Sequence, residues 1–262
     1  LSFREYLKFK GISIKARYGL GASSKISSAF DEYLVFGGYP EIITYTAEHK
    51  IRVLQNYFDM VIYRDLIERY DIGRVDILKY MLLKTVACAT KEFSVNKIYN
   101  DLKSSGRNIS RDTLYTFLEY IKNIFFCEFV GKFHKSPAGR ENSNKKAYFY
   151  DNGITSALNF GLSTDHGKLL ENLVFIELKR RNSELFYNDR PKECDFLYFD
   201  KKSGGTAFQV VYELTRENYK REIAGLESSG ASRQILIYRE NSSGMEDQRF
   251  INVIDWLIEN RN

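Results

Sequence analysis

The sequence predicts an α/β protein with an all-helical N-terminal segment, and three observations support this fold class. First, apolar residues recur at three- and four-residue steps in EHKIRVLQNYFDMVIYRDLIERY, which is typical of one buried face of a long helix. Second, the aromatic-rich runs FFCEFVGKF and KKAYFYD have the composition of strands. Third, helical and strand patterns alternate from residue 163 to the end, which favours helices packed on one central sheet.

Residues 1–73 form the predicted helical segment. The apolar positions of its longest helix are Ile51, Leu54, Phe58, Val61, Ile62 and Leu66. In FGGYPEII, the pair Gly37 and Gly38 together with Pro40 predicts a turn that ends one helix and starts the next. The stretch GLGASSK, from Gly19 to Lys25, lacks the spacing of a phosphate loop, so we expect a flexible turn there.

Residues 74–162 have the pattern of a winged helix. A helix over VDILKYMLLKTVACA is followed by two short helices that Ser-Ser-Gly separates, which is a helix-turn-helix pattern. Ser110 is the expected N-cap of the second short helix. The core face of that helix contains Leu114, Phe117, Leu118 and Ile121. Two aromatic-rich strands with a polar loop between them complete the pattern.

Residues 163–262 predict an α/β domain with one central sheet. The expected order is a helix (HGKLLENLVFIELKRR), three strands (SELFYND, CDFLYFD, TAFQVVYEL), a helix (RENYKREIAGLES), a strand (RQILIYRE) and a last strand and helix (QRFINVIDWLIEN). A Gly-Gly turn joins the second and third strands, and Asp195 lies at the start of the second.

The composition argues against several classes of protein. No apolar run reaches the roughly 18 residues that cross a bilayer, so we expect a soluble protein without a membrane partner. The three cysteines lie far apart among apolar neighbours, which favours reduced thiols in the cytoplasm. Neither the cysteines nor the scattered histidines have the spacing of a zinc site. The chain starts without Met or a leader peptide, so we expect it to be a fragment of a longer protein.

The net charge of +5 is concentrated in one part of the chain. Residues 91–150 hold 11 Lys and Arg against 6 Asp and Glu, whereas the rest of the chain holds 28 of each. Nine of these basic residues lie on the predicted helix-turn-helix and wing, where we expect contact with nucleic acid: Lys97, Lys103, Arg107, Arg111, Lys132, Lys135, Arg140, Lys145 and Lys146.

The outward face of the second short helix argues against base recognition. It carries Asp112, Tyr115, Thr116 and Glu119. Because acidic side chains are repelled by an electronegative groove, we expect the basic residues to contact phosphates rather than bases. A DNA duplex and a docked protein both remain open as the partner of this region, and so does a homo-oligomer.

Five stretches together resemble the C-terminal half of a prokaryotic AAA-type ATPase family. They are LSFREYLKFKG, YLVFGGYPE, the RDL of the long helix, KKAYFYDNGI and LLENLVFIEL, and the resemblance covers nearly the whole chain. It implies an ATP-binding module N-terminal to Leu1 and a lid-like helical segment at residues 1–73. It further implies a winged helix at 74–162 and, at 163–262, a restriction-endonuclease-like domain similar to the PD-(D/E)xK nucleases. Since this chain has no phosphate loop, we expect ATP to bind only in the preceding module.

The nuclease resemblance also implies a site. Its helix carboxylate falls on Glu171 and its strand acid on Asp195, while its (D/E)xK falls on Gln209 and Val211. In such nucleases, clustered carboxylates hold Mg²⁺, which activates water and offsets charge on the phosphate, and the Lys orients that water. Glu171 and Asp195 are therefore the implied Mg²⁺ ligands. Gln209 and Val211 depart from the pattern and weaken the site, although Lys220 or Arg221 could return a cation.

Two functions follow. The first is the non-catalytic, nucleic-acid-binding and assembly half of an ATPase, with a degenerate nuclease-like domain; the lost third motif favours this function. The second is a Mg²⁺-dependent phosphodiesterase that uses Glu171 and Asp195. An enzyme requires these two carboxylates to face each other, and it requires Gln209 to face them rather than the core.

Overall fold

The structure is a computed structural model of the chain, and it describes residues 1–14, 20–141, 143–158, 165–181, 184–189, 191–200 and 204–259. It is an α/β fold with a mostly helical start and a mixed eight-stranded sheet. The predicted α/β class with a helical N-terminal segment is therefore confirmed. Within the described residues, every helix is too short or too polar to cross a bilayer.

Eleven α-helices lie within the described residues. In chain order they are α1 (Phe3–Phe9), α2 (Leu20–Phe36), α3 (Ala47–Met60), α4 (Val75–Ala87), α5 (Val95–Ser104), α6 (Arg111–Asn123), α7 (Pro137–Glu141), α8 (Asn152–Leu158), α9 (His166–Arg180), α10 (Tyr219–Ser228) and α11 (Val253–Ile258). A 3₁₀ turn at Pro40–Ile42 follows the double glycine, and α3 continues as a π-helix over Val61–Glu68.

The strands form one continuous sheet. They are β1 (Glu92–Phe93), β2 (Cys127–Lys132), β3 (Lys145–Phe149), β4 (Phe186–Asn188), β5 (Cys194–Asp200), β6 (Gly204–Leu214), β7 (Arg233–Asn241) and β8 (Phe250–Asn252). Their order across the sheet is β1-β3-β2-β4-β5-β6-β7-β8. The pairs β2–β4, β6–β7 and β7–β8 are parallel, and the others are antiparallel. The β2–β4 pair therefore joins the two predicted strand-containing regions in one sheet.

Local signals explain where several helices begin. The hydroxyl of Ser110 accepts a hydrogen bond from the Thr113 backbone N–H at 3.0 Å, which confirms it as the N-cap of α6. Ser94 caps α5 in the same way. The predicted core face of α6 is also confirmed, since Leu114, Phe117 and Ile121 are buried.

Two local predictions failed. Residues 20–25 were expected to form a flexible turn, but they begin α2, while Gly19 lies outside the described residues. The predicted long α-helix changes to a π-helix at Val61. Its buried residues are spaced strictly by four: Leu54, Phe58, Ile62 and Leu66. A four-residue step drifts by about 40° round an α-helix, and a wider π-helical turn reduces that drift.

Three clusters of buried apolar side chains hold the sheet between helices. The first joins α1, α2, α9 and α11 to one face of β5, β6 and β7, and the third places α10 against the other face. The second joins α3–α6 and α8 to β2 and β3. Ile42 belongs to the second cluster and Ile43 to the first, so residues 1–73 contribute to two cores. The predicted boundaries after residues 73 and 162 stay predictions.

Candidate acidic site and basic surface

Glu171 and Asp195 converge on the same place, next to strand β3. Glu171 lies on α9, and its Oε1 accepts a hydrogen bond of 2.6 Å from the hydroxyl of Tyr148. Asp195 lies on β5, and its Oδ2 accepts a bond of 2.8 Å from the backbone N–H of Val210 on β6. Asp195 is only 7% exposed. The structure thus brings together the two carboxylates that the nuclease resemblance pairs.

A lysine ammonium lies close to these carboxylates. Lys146 extends from β3, and its Nζ lies 3.8 Å from Oε1 of Glu171 and 2.5 Å from Oε1 of Glu193. Asp195 is also close enough for its negative charge to raise the pKa of Lys146. We call Lys146, Glu171, Glu193 and Asp195 the carboxylate cluster. The prediction that Lys146 contacts nucleic acid stays a prediction, and its environment opposes it, because the residue is 5% exposed and already paired with Glu193.

Burial and mutual charge determine the protonation of this cluster. Burial alone lowers the pKa of Lys146, but the carboxylates of Glu171, Asp195 and Glu193 outweigh burial and raise that pKa above its usual range. Burial, followed by the like charge of Glu171, raises the pKa of Asp195 well above its usual value. Burial also raises the pKa of Glu171, although Lys146 and the Tyr148 hydroxyl oppose it. The two buried carboxyls therefore hold protons more tightly than exposed ones, while Lys146 stays charged.

Gln209, the third position of the nuclease pattern, is bound to a different partner. Its Nε2 donates a hydrogen bond of 2.9 Å to Oε2 of Glu222 on α10, and both residues are buried. The guanidinium of Arg221 pairs with the other oxygen of Glu222 at 2.5 Å. Gly225 allows this close approach, since a Cβ there would lie 2.2 Å from the Glu193 carbonyl oxygen and 3.0 Å from Gln209 Oε1. Gln209 is therefore tied to α10 through Glu222.

The residues present do not fit a divalent cation in this arrangement. Mg²⁺ requires oxygen ligands in near-octahedral geometry, and it dehydrates reluctantly. The ammonium of Lys146 already lies 3.8 Å from Oε1 of Glu171, one of the two implied ligands. Across the described residues, no group of three or more His, Cys, Asp or Glu side chains is placed to hold a metal ion. The positive charge of Lys146 therefore opposes the binding of a divalent cation at Glu171.

The other predicted basic residues divide into two sets. On the strand side, Lys132 pairs with Asp189, Arg140 lies over the ring of Phe186 at 5.5 Å, and Lys145 is half-buried. Lys135, which lies beyond β2, is exposed. The basic residues on the helix-turn-helix are exposed as well: Lys97, Lys103, Arg107 and Arg111. The exposed charge therefore lies mainly on α5 and around the start of α6.

Tyrosines support two of these arginines. The guanidinium carbon of Arg107 lies 5.4 Å from the ring centre of Tyr80 on α4, and that of Arg111 lies 4.7 Å from the ring centre of Tyr99 on α5. We call these four residues the arginine–tyrosine surface. Sequence reasoning named the arginines but missed their partners, since Tyr80 lies 27 positions before Arg107 and no local pattern links them.

Comparisons with known proteins place the chain in a family. Residues 27–166 match the family described as domain of unknown function DUF8612. The chain belongs to this family. It is also 35% identical to the uncharacterized protein MJ1544 of Methanocaldococcus jannaschii over 87% of this chain and 52% of that protein. An uncharacterized protein of Haemophilus influenzae is 25% identical over 99% of this chain and 63% of that protein.

The chain thus spans between half and two thirds of the length of these curated relatives. No solved structure matches it significantly.

Proposed function

We propose that this chain is the nucleic-acid-binding and assembly portion of a larger cytoplasmic AAA-type ATPase. In this proposal, residues 74–162 act as a winged helix and residues 163–262 as a PD-(D/E)xK-like domain that no longer cleaves phosphodiesters. ATP would bind in a module N-terminal to Leu1. The greater length of both relatives leaves room for such a module.

The position of Lys146 carries the proposal. A hydrolytic site of this type needs carboxylates that are free to hold Mg²⁺. Here an ammonium from β3 offsets the charge of Glu171 and Glu193 at distances of 3.8 and 2.5 Å. The third motif gives no support to a metal, because Gln209 is bound to Glu222. The cluster therefore acts as an ion pair between the buried Lys146 and the carboxylates beside it.

The contacts of Lys146 with the carboxylates also account for the proposed role in assembly. Lys146 belongs to the strand pair of the proposed winged helix, whereas Glu171, Glu193 and Asp195 belong to the nuclease-like region. The ion pair lies close to the β2–β4 pairing, in which Gly131 and Lys132 face Phe186 and Tyr187. Charge and strand pairing together hold the two regions in one orientation. In this proposal, the carboxylate cluster connects the winged helix to the nuclease-like region.

A cleavage assay tests the proposal. Plasmid and single-stranded DNA are incubated with Mg²⁺ and wild type, Asp195→Asn, Lys146→Met or Gln209→Glu/Val211→Lys. We expect wild type to cleave neither substrate above background. We expect calorimetry with Mn²⁺ to detect no binding by wild type and measurable binding by Lys146→Met, in which the ammonium is gone. Wild-type cleavage that disappears in Asp195→Asn would overturn the proposal.

That result would support the second candidate function, a Mg²⁺-dependent nuclease. The convergence of Glu171 and Asp195 favours it. Lys146 would then supply the cation that Val211 cannot. Under this alternative Lys146→Met also abolishes cleavage, whereas Lys25→Met, which removes an exposed cation from α2, leaves it unchanged.

A further inference from the structure

We propose that the arginine–tyrosine surface binds single-stranded nucleic acid, with bases stacked on the guanidinium planes of Arg107 and Arg111. This inference rests on the proposed nucleic-acid-binding function and names the form of the ligand. It adds Tyr80 and Tyr99 to the residues of the interface. It also moves the interface away from the outward face of α6.

The geometry holds both guanidiniums in defined positions. Arg107 lies in the turn before α6 and Arg111 is the first residue of that helix, on either side of the N-cap Ser110. Each lies over a tyrosine ring, at 5.4 and 4.7 Å. Both arginine side chains remain exposed to solvent. A planar cation that rests on one aromatic ring can still accept a base on its free face.

Tyr80 and the turn before α6 are themselves anchored. The Tyr80 hydroxyl donates a hydrogen bond of 3.3 Å to Oδ2 of Asp101 on α5, which ties α4 to the helix-turn-helix. Arg74, just before α4, donates a bond of 2.9 Å to the backbone carbonyl of Asn108 in the turn before α6. The turn that carries Arg107 is therefore attached to α4. The protein therefore needs little ordering when a nucleic-acid strand binds, and this favours affinity.

The charge around this surface suits a phosphate backbone. Residues 74–112 carry eight Lys and Arg against four Asp and Glu. Two of those acids are already engaged, since Asp76 pairs with Arg74 and Asp101 with Lys84. Among the described residues, no acidic side chain forms an ion pair with Arg107 or Arg111. Lys97 and Lys103 are exposed on α5 and can follow the backbone between bases.

A duplex fits this surface less well than a single strand does. Base pairs hide the faces of their bases, so a duplex offers phosphates but no free face for stacking. If α6 entered a major groove, its outward residues Asp112 and Glu119 would meet a negatively charged ligand. Glu119 is neutralised only partly, by its pair with Lys122 at 2.8 Å.

Fluorescence anisotropy with a labelled oligothymidine and a labelled duplex of equal length tests this inference at low salt. The main variant is Arg107→Lys/Arg111→Lys, which keeps both charges and removes both planes. We expect it to bind the oligothymidine about tenfold more weakly than wild type does, a difference of about 1.4 kcal/mol, since both stacking planes are lost. We expect its duplex affinity to change less than about threefold, since the charge is unchanged.

A tyrosine pair gives a second, independent comparison. Tyr99→Leu removes the support of Arg111, and Tyr115→Leu removes an exposed tyrosine from the outward face of α6. We expect only Tyr99→Leu to weaken binding of the oligothymidine, and circular dichroism confirms that each variant is folded. Equal losses for both ligands in the arginine variant, or tighter binding of the duplex by wild type, would overturn the single-strand inference alone. Absence of binding to either ligand would instead overturn the nucleic-acid role itself.

Discussion

Lys146 and Arg107 come from the same basic stretch of sequence, yet they have opposite environments. Lys146 is 5% exposed and faces three carboxylates, whereas Arg107 is exposed and rests on the ring of Tyr80. Both were predicted to contact phosphates, since both contribute to the surplus of positive charge in residues 91–150. The difference shows that a local surplus identifies a region but does not identify which of its charges can reach a ligand.

The cost of desolvation explains the contrast. A buried ammonium must be compensated by nearby negative charge, so the fold supplies carboxylates to Lys146 from α9, β5 and the segment just before β5. An exposed guanidinium remains hydrated and needs no such compensation. Burial therefore makes Lys146 part of the folded structure, and exposure leaves Arg107 free to bind.

The largest expected effect is the loss of the Lys146 ammonium. Lys146→Met leaves buried carboxylates without their counter-charge, which costs about 3 kcal/mol in the free energy of unfolding at pH 7. Lys145 is the half-buried neighbour of Lys146 on β3, and Lys145→Met should lower the free energy of unfolding by less than about 1 kcal/mol. Urea unfolding measures both values. A cost of Lys146→Met no larger than that of Lys145→Met would contradict the ion-pair account. Adding Asp195→Asn to Lys146→Met should recover part of the loss.

The next effect concerns Gln209. Gln209→Glu replaces an amide donor with a carboxylate beside Glu222, where the two side chains are 2.9 Å apart. We expect a loss of about 2 kcal/mol at pH 7, because two buried carboxylates repel each other and a hydrogen bond is lost. The exchange Gln209→Glu/Glu222→Gln is the matched control, since it restores a donor and an acceptor. If the exchange is as unstable as the single variant, the contact with Glu222 is not what holds Gln209.

A smaller effect depends on pH. The folded protein holds the Asp195 proton more tightly than the unfolded chain does, because burial and Glu171 raise the pKa of this carboxyl. Its contribution to stability is therefore fully present below the unfolded pKa of about 3.9, and it is lost as the pH rises through the folded pKa.

Asp195→Asn removes this titration and keeps an oxygen that can accept the Val210 N–H. We expect the variant to gain stability relative to wild type as the pH rises above about 4, because Asn does not ionise, whereas burial and Glu171 oppose the ionisation of Asp195. Urea unfolding between pH 4 and pH 8 measures the difference. A gain that stays constant with pH would show that Asp195 is not the titrating group.

The smallest effect on stability is expected at the arginine–tyrosine surface. Arg107→Gln/Arg111→Gln should change the free energy of unfolding by less than about 1 kcal/mol, since exposed cation–π contacts are weak. Duplex binding should nevertheless lose about two units of its salt slope, one for each phosphate contact. The charge-matched control is Lys25→Gln/Lys220→Gln, which removes two exposed cations from α2 and α10. Equal slopes for the two variants would place the nucleic-acid contact elsewhere.

Local patterns predicted much of the secondary structure. The N-cap at Ser110 and the buried face of α6 follow from signals within a dozen residues, and both are present in the structure. The strands β5 and β6 and the helix α10 also lie where the alternation of the sequence places them. The π-helix after α3 was missed, because its apolar spacing is also compatible with an α-helix.

The candidate site was predictable only in part. The nuclease resemblance pairs Glu171 with Asp195, and the structure brings them together. The resemblance does not indicate Lys146, because that residue precedes Glu171 by 25 positions and reaches the site through pairing between strands. Glu222 was missed for the same reason, since its contact with Gln209 depends on how closely α10 packs on the sheet.

The order of the main helices and strands and the location of the charge surplus could be determined from the sequence alone, because both depend on residues that are near neighbours in the chain. Which cations became buried and which stayed exposed was decided only by the tertiary structure. The parallel pairing of β2 with β4 brings β3 close to α9 and β5, and this proximity places Lys146 among carboxylates. Electrostatic energy depends on distance in space and on burial, and neither quantity can be read from separation along the chain.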